Sequence, residues 1–165
     1  MTQGSTRRTV VAVDILTESP LWQREPSAAT VVCDAIEAAA DATSASPGEL
    51  AVVLTNDDAI RALNRDWRGI DRPTNVLSFP SSRRPGAEPA MLGDIVIAYE
   101  TLERECRAEN RQFVHHLAHL AVHGFLHLMG YDHQTDSEAD DMERIEVAIL
   151  SRLHVPDPYL AREAN

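Results

Sequence analysis

Lysine is absent from this chain, whose fifteen basic residues are all arginine. A need for bidentate phosphate contacts would favour that choice, but a coding bias toward Arg and Ala accounts for it more simply. Aromatic residues make up only 5%, so the core must be built from Ala, Val, Leu and Ile, and no aromatic-rich surface for stacking bases is visible. Cysteine occurs twice, at Cys33 and Cys106 in helix-like stretches with no pairing pattern. That excludes a disulfide scaffold and predicts reduced thiols in a cytoplasmic protein. No apolar run approaches the roughly 18 to 20 residues that span a bilayer. The polar stretch Met1 to Thr9 precedes no signal-peptide core, so neither a membrane partner nor secretion by that route is expected. Repeats and low-complexity tracts are also missing.

What remains is globular. The chain has 165 residues, 44% hydrophobic and 25% charged, which predicts a single domain over residues 1–165. Its net charge of −11 opposes long-range adhesion to nucleic acid or anionic lipid, so a polyanionic substrate would need a local attraction.

Periodicity lays out the elements. Arg8 to Ile15 alternates as a strand. Ser27 is placed to cap a helix over Ala28 to Thr43, and Glu49 to Leu54 reads as a buried strand. Thr55, with Asp58 three positions on, resembles a capping box for a helix that reaches Arg68 and stops at Gly69. Strands follow at Asn75 to Phe79 and Gly93 to Tyr99, separated by a turn-rich loop from Pro80 to Pro89. Helices are expected over Glu100 to Glu109 and Arg111 to Met129, the latter closed by Gly130. A last one is capped by Ser137 and carries Ala139, Met142, Ile145, Ile149 and Leu153 on its apolar face. The fold class is therefore α+β, with a small mixed four-stranded sheet packed with about five to six helices.

Six of the seven histidines fall between His115 and His133. His123 and His127, four apart on the apolar helix, project from one face. The turn through Gly130 and Asp132 can bring His133 back as a third nitrogen. Three neutral imidazoles leave a divalent ion its charge and an open position, and Zn²⁺ so held can bring the pKa of its water from about 15.7 toward 7, which suits hydrolysis. His119, one turn earlier, faces the same way and could support the site, face substrate, or be an ordinary core or helix-surface histidine. His115 and His116 are expected to face solvent or an interface. Asp132 either orients an imidazole or forms the turn. The pattern is close to H-E-x-x-H, but Gly124 stands where that signature has its general base, leaving room for a bulkier substrate or a neighbouring strand.

Three blocks then become specific. N-R-D-W-R-G-I-D-R-P-T-N-V-L-S-F-P, L-G-D-I-V-I and H-G-F-L-H-L-M-G-Y-D-H, in this order, resemble the YbeY endoribonucleases, bacterial rRNA maturation factors, over roughly Val52 to Tyr159. The resemblance implies a zincin-like fold and a metal-dependent, single-strand-specific endoribonuclease acting in 3′-end maturation of small-subunit rRNA and ribosome quality control, with the ribosome or a ribosomal protein as partner. It places the zinc ligands on His123, His127 and His133 and a functionally important arginine on Arg68. A guanidinium there can hold a phosphodiester bidentately. Thr74, Asn75 and Ser78 lie in the matching block and could line the cleft, although Asn75 could equally stabilise the turn after Pro73. Two alternatives stay open: a metallopeptidase-like hydrolase on the same fold, and a non-catalytic assembly factor stabilised by its metal.

Charge supplies the local attraction. Residues 61–84 hold Arg61, Arg65, Arg68, Arg72, Arg83 and Arg84 against Asp66 and Asp71, a local +4, the expected RNA track and one wall of the cleft. Asp136, Glu138, Asp140, Asp141, Glu143 and Glu146 oppose only Arg144, a local −5, read as a solvated helix face that RNA should avoid.

Overall fold

The computed structural model describes residues 10–81 and 90–160. Four strands form one sheet: β1 (Val11–Thr17), β2 (Gly48–Thr55), β3 (Val76–Pro80) and β4 (Met91–Ala98), in the order β1-β2-β4-β3. β1, β2 and β4 run parallel, and β3 pairs antiparallel with β4 at the edge. Five α-helices accompany them: α1 (Ala28–Ala42), α2 (Asp57–Arg68), α3 (Tyr99–Glu109), α4 (Phe113–Leu128) and α5 (Asp136–Arg152), with a short 3-10 turn at Pro20–Arg24. The expected α+β class and mixed four-stranded sheet are what the chain adopts.

Both sheet faces are covered, as parallel strands require. Along β4, Ile95 and Ile97 join the main core under α1, α4 and α5, while Val96 and Ala98 face a smaller cluster with Ile60 and Leu77 beneath α2. Helix α4 is buried along most of its length, including Leu117, Ala121, Val122, Phe125 and Leu126, because it lies between the sheet and α1, α3 and α5. Gly124 settles the alternative left by the sequence in favour of a neighbouring strand. A Cβ at that position would lie 2.9 Å from Ile95 Cγ2 and 3.2 Å from Ser78 Oγ. Gly124→Ala gains about 1 kcal/mol of helix propensity, but Ile95 is fully buried and cannot yield, and overpacking costs about 1–3 kcal/mol. Net destabilisation of about 1 kcal/mol is expected, and a denaturant melt showing a more stable variant would refute it.

Three caps differ from expectation. Ser27 sits in helical rather than extended backbone and donates to Glu25 Oε1 at 2.7 Å, so it does not cap α1. Thr55 is the buried last residue of β2, and Asn56, one residue on, accepts from Ala59 N at 2.9 Å. For α5 the extended residue is Thr135, not Ser137, and its Oγ1 accepts from Glu138 N. The start of the first expected strand at Arg8, most of the Pro80 to Pro89 loop, and Arg83 and Arg84 lie outside the described residues. Both cysteines are free, and burial pushes the Cys106 thiol up to about 11. Among the described residues no helix is long and apolar enough to cross a membrane.

Candidate metal centre

Helix α4 ends in a hydrogen-bonded reversal: Gly130 N donates to His127 O and Tyr131 N to Leu126 O. Gly130 has φ +95°, which a side chain would resist. That reversal brings the next residues back over the helix end. Asp132 Oδ1 accepts from His133 N at 2.7 Å, so the carboxylate shapes the turn. The three imidazoles of His123, His127 and His133 then converge, each with a ring nitrogen within 4.8 Å of the others. His123 Nε2 and His127 Nε2 face each other at 3.0 Å.

This donor set fits a divalent transition metal. Tetrahedral zinc–imidazole bonds of about 2.0–2.1 Å put neighbouring nitrogens about 3.4 Å apart, inside the span observed. Burial, then the neighbouring His123 and His133 rings, hold the His127 pKa below its ordinary value, while a hydrogen bond to the Tyr131 backbone and the Asp132 carboxylate pull weakly upward. That shift favours the neutral ring, the form that can ligate a metal.

The histidines open onto a cleft of ≈ 520 Å³ that is also lined by a wall of Arg68, Thr74, Asn75, Val76, Leu77, Ser78 and Pro80. Two short devices build that wall. Gly69, at φ +72°, ends α2 and leaves Arg68 exposed at its last position. Ser78 Oγ donates to Gly124 O at 2.9 Å, tying edge strand β3 to α4, the helix that carries His123 and His127. Asn75 lines the cleft and donates to Glu105 Oε1 at 2.9 Å, while its own Oδ1 accepts from Val76 N.

Among the described residues the arginine wall is narrower than predicted. Arg61 pairs with Asp71 at 2.9 Å and Arg65 with Asp66 at 3.1 Å, both exposed, and such pairs are weak. Arg68 and Arg72 have no ion-pair or hydrogen-bonding side-chain partner among the described residues, and only Arg68 of the four lines the cleft. The structure also exposes an aromatic beside it. Trp67 is 71% exposed and meets Phe79 edge-on, ring centroids 5.7 Å apart.

Two sequence readings are corrected behind the cluster. His116 does not face solvent: it is buried and shares its Nε2 hydrogen bond with Glu105 Oε1 at 2.9 Å. Glu146 does not belong to the solvated acidic face. It is 1% exposed, with Oε1 2.6 Å from His123 Nδ1 and Oε2 2.8 Å from His119 Nε2. Burial alone would raise its pKa, but the hydrogen bonds with His119 and His123 outweigh burial and hold it at about 2. His119 thus supports the site from behind and meets the Tyr159 hydroxyl at 3.2 Å. The signal was present in the sequence: Glu146 falls on the apolar stripe between Met142 and Ile149, both buried, and a carboxylate on such a stripe demands a partner.

Known proteins share this chain's sequence and fold. The family described as Endoribonuclease YbeY matches residues 19–154. A Rhodopseudomonas palustris protein named Endoribonuclease YbeY is 56% identical over 155 residues, covering 91% of this chain and 82% of that protein. A Bradyrhizobium protein of the same name is 52% identical over 161 residues, covering 93% and 95%. The solution structure of TM1509 from Thermotoga maritima superposes with a TM-score of 0.53 at 24% identity, over 86% of this chain and 91% of that one, a likeness of fold alone.

Proposed function

The chain belongs to the YbeY endoribonuclease family, and from that premise we propose that it is one metal-dependent domain that cleaves single-stranded RNA, acting in the cytoplasm in 3′-end maturation of small-subunit rRNA on the ribosome or with a ribosomal protein. The observation that carries the reading is the meeting, in one open cleft, of three convergent imidazoles and an arginine that has no ion-pair partner among the described residues. His123, His127 and His133 would hold the ion, and imidazole nitrogen favours zinc over Mg²⁺ or Ca²⁺. When bound, the metal supplies positive charge beside the phosphodiester and acidifies water.

The chain's own groups do the rest. Arg68 can grip the two non-bridging phosphate oxygens with its fork and oppose the charge that builds at phosphorus. The cleft is open to solvent and is lined by β3, and a single strand can enter it without unpairing a duplex. The metallopeptidase alternative lacks support, because position 124 is pressed against Ile95 and cannot carry a catalytic carboxylate. A metal that only stabilises the turn would need no open wall carrying Arg68.

Arg68, Trp67 and Arg72 mark the RNA path. None of the acidic residues of α5 lines the cleft, so charge reversals should act unequally. Arg72→Glu is expected to weaken RNA binding and lower the salt slope by about 1. Arg65→Glu should act in the same direction but less, since Asp66 already offsets it, and Asp140→Arg or Glu143→Arg should change either quantity little. Trp67→Ala is expected to lose about 1–3 kcal/mol of stacking with an unpaired base, and Trp67→Phe to recover most of it. Electrophoretic shifts at several salt concentrations check both sets, and equal effects from acidic and basic reversals would remove the track. The enzyme assay compares single-stranded with double-stranded RNA, with and without chelator. Cleavage that is indifferent to chelation would overturn the metal-dependent reading.

A further inference from the structure

Glu146 is a carboxylate at 1% exposure whose two oxygens are both committed. Oε1 faces His123 Nδ1 at 2.6 Å. Oε2 faces His119 Nε2 at 2.8 Å and accepts from the Tyr159 hydroxyl. Three parts of the chain meet there: α4 supplies the two rings, α5 the carboxylate, and the segment after α5 the phenol. A carboxylate buried this deeply is tolerated only where hydrogen bonds replace its water.

An ionised carboxylate accepts and cannot donate, so the facing ring nitrogens must carry the hydrogens. That assigns the Nδ1–H tautomer to His123 and the Nε2–H tautomer to His119. For His123 the consequence is direct: the lone pair sits on Nε2, the nitrogen that faces His127 Nε2 at 3.0 Å. For His119 the remaining nitrogen is Nδ1, which is buried with no hydrogen-bond partner among the described residues. A bare lone pair is the cheaper group to leave there, since orphaned buried N–H groups are rarer than under-satisfied acceptors. The two rings' proton positions are therefore mutually consistent.

We propose that Glu146 is a positioning residue that fixes His123 in its metal-ligating tautomer and orientation, and that Tyr159, by occupying the second oxygen of Glu146, makes the segment after α5 part of the metal centre. The inference rests on the reading that the three histidines hold a divalent ion. Glu146 is itself no ligand, because its oxygens are spent on His119, His123 and Tyr159 and it stands outside the convergent group. Losing such an orienting partner typically costs 10–100-fold in metal affinity.

Two measurements test it. Long-range ¹H–¹⁵N spectra of the metal-free wild type should show His123 as Nδ1–H and His119 as Nε2–H, with the His123 assignment lost in Glu146→Gln. A His123 that is Nε2–H in the wild type overturns the proposal whether or not metal binds. Chelator competition with zinc should then give an affinity about 10–100-fold weaker for Glu146→Gln and a smaller loss for Tyr159→Phe, which removes one hydroxyl. Ile149→Val, also buried on α5 but with no polar group to orient an imidazole, controls for general loosening. If Ile149→Val weakens zinc as much as Glu146→Gln, or Glu146→Gln binds zinc like the wild type, the positioning role is withdrawn. A wild type that binds no zinc defeats the ligand assignment instead, and the tautomer spectra still judge Glu146.

Discussion

His127→Ala is expected to lose stoichiometric metal and, with it, RNA cleavage, while the fold survives. The size of the effect follows from sharing. Four-ligand zinc sites are worth about 10–16 kcal/mol, so one imidazole carries roughly 3–4 kcal/mol, and its removal weakens binding by on the order of 10²–10³-fold. His127 is half-buried on α4, and alanine is a good helix former, so the metal-free variant should melt close to the metal-free wild type. Elemental analysis after dialysis, paired with chelator competition, reads the first effect, and cleavage of a single-stranded oligonucleotide reads the second. Metal that stays stoichiometric after His123, His127 and His133 are all replaced by alanine would show that the ligands lie elsewhere.

Arg68→Lys is expected to cut cleavage by about 10²-fold or more, the loss that follows removal of one preorganised donor to a transition-state oxyanion. An ammonium keeps the charge but not the planar fork that contacts two phosphate oxygens at once. Stability should hardly change, since Arg68 is exposed at the end of α2 and has no ion-pair partner among the described residues. Metal content should also be untouched, because Arg68 stands outside the convergent group of His123, His127 and His133. That separation distinguishes the variant from His127→Ala: one loses rate with metal retained, the other loses both. A wild-type rate in Arg68→Lys or Arg68→Ala would return Arg68 to the class of ordinary surface arginines.

The two expectations differ in how directly local pattern supports them. Histidines four apart on an apolar helix share a face whatever surrounds them, so His123 and His127 were legible from spacing, and Gly130 marked the reversal that returns His133. The strands and helices were legible too, because apolar periodicity and glycine stops are local properties. Caps were misplaced by one or two residues where backbone conformation, and not residue type, decides which hydroxyl or amide meets the helix N–H. Thr55 and Asn56 show this: both are good caps, but pairing of Thr55 with Ala98 buries the first and leaves the second to act.

By itself the sequence determined the element types, the histidine pair and the absence of a peptidase base at Gly124, since each depends on residue identity at short spacing. Only the tertiary structure decided what surrounds the three histidines. Glu146 is one acid among six in its stretch, and its role arises because α5 packs that position against α4, 23 residues from His123 along the chain. The same holds for Arg68 and the cleft wall. β3 sits at the sheet edge beside α4 only because it pairs antiparallel with β4, and the packing of Gly124 on Ile95 sets how closely the two approach. Such contacts depend on which apolar surfaces bury each other, a long-range outcome that no window of sequence contains.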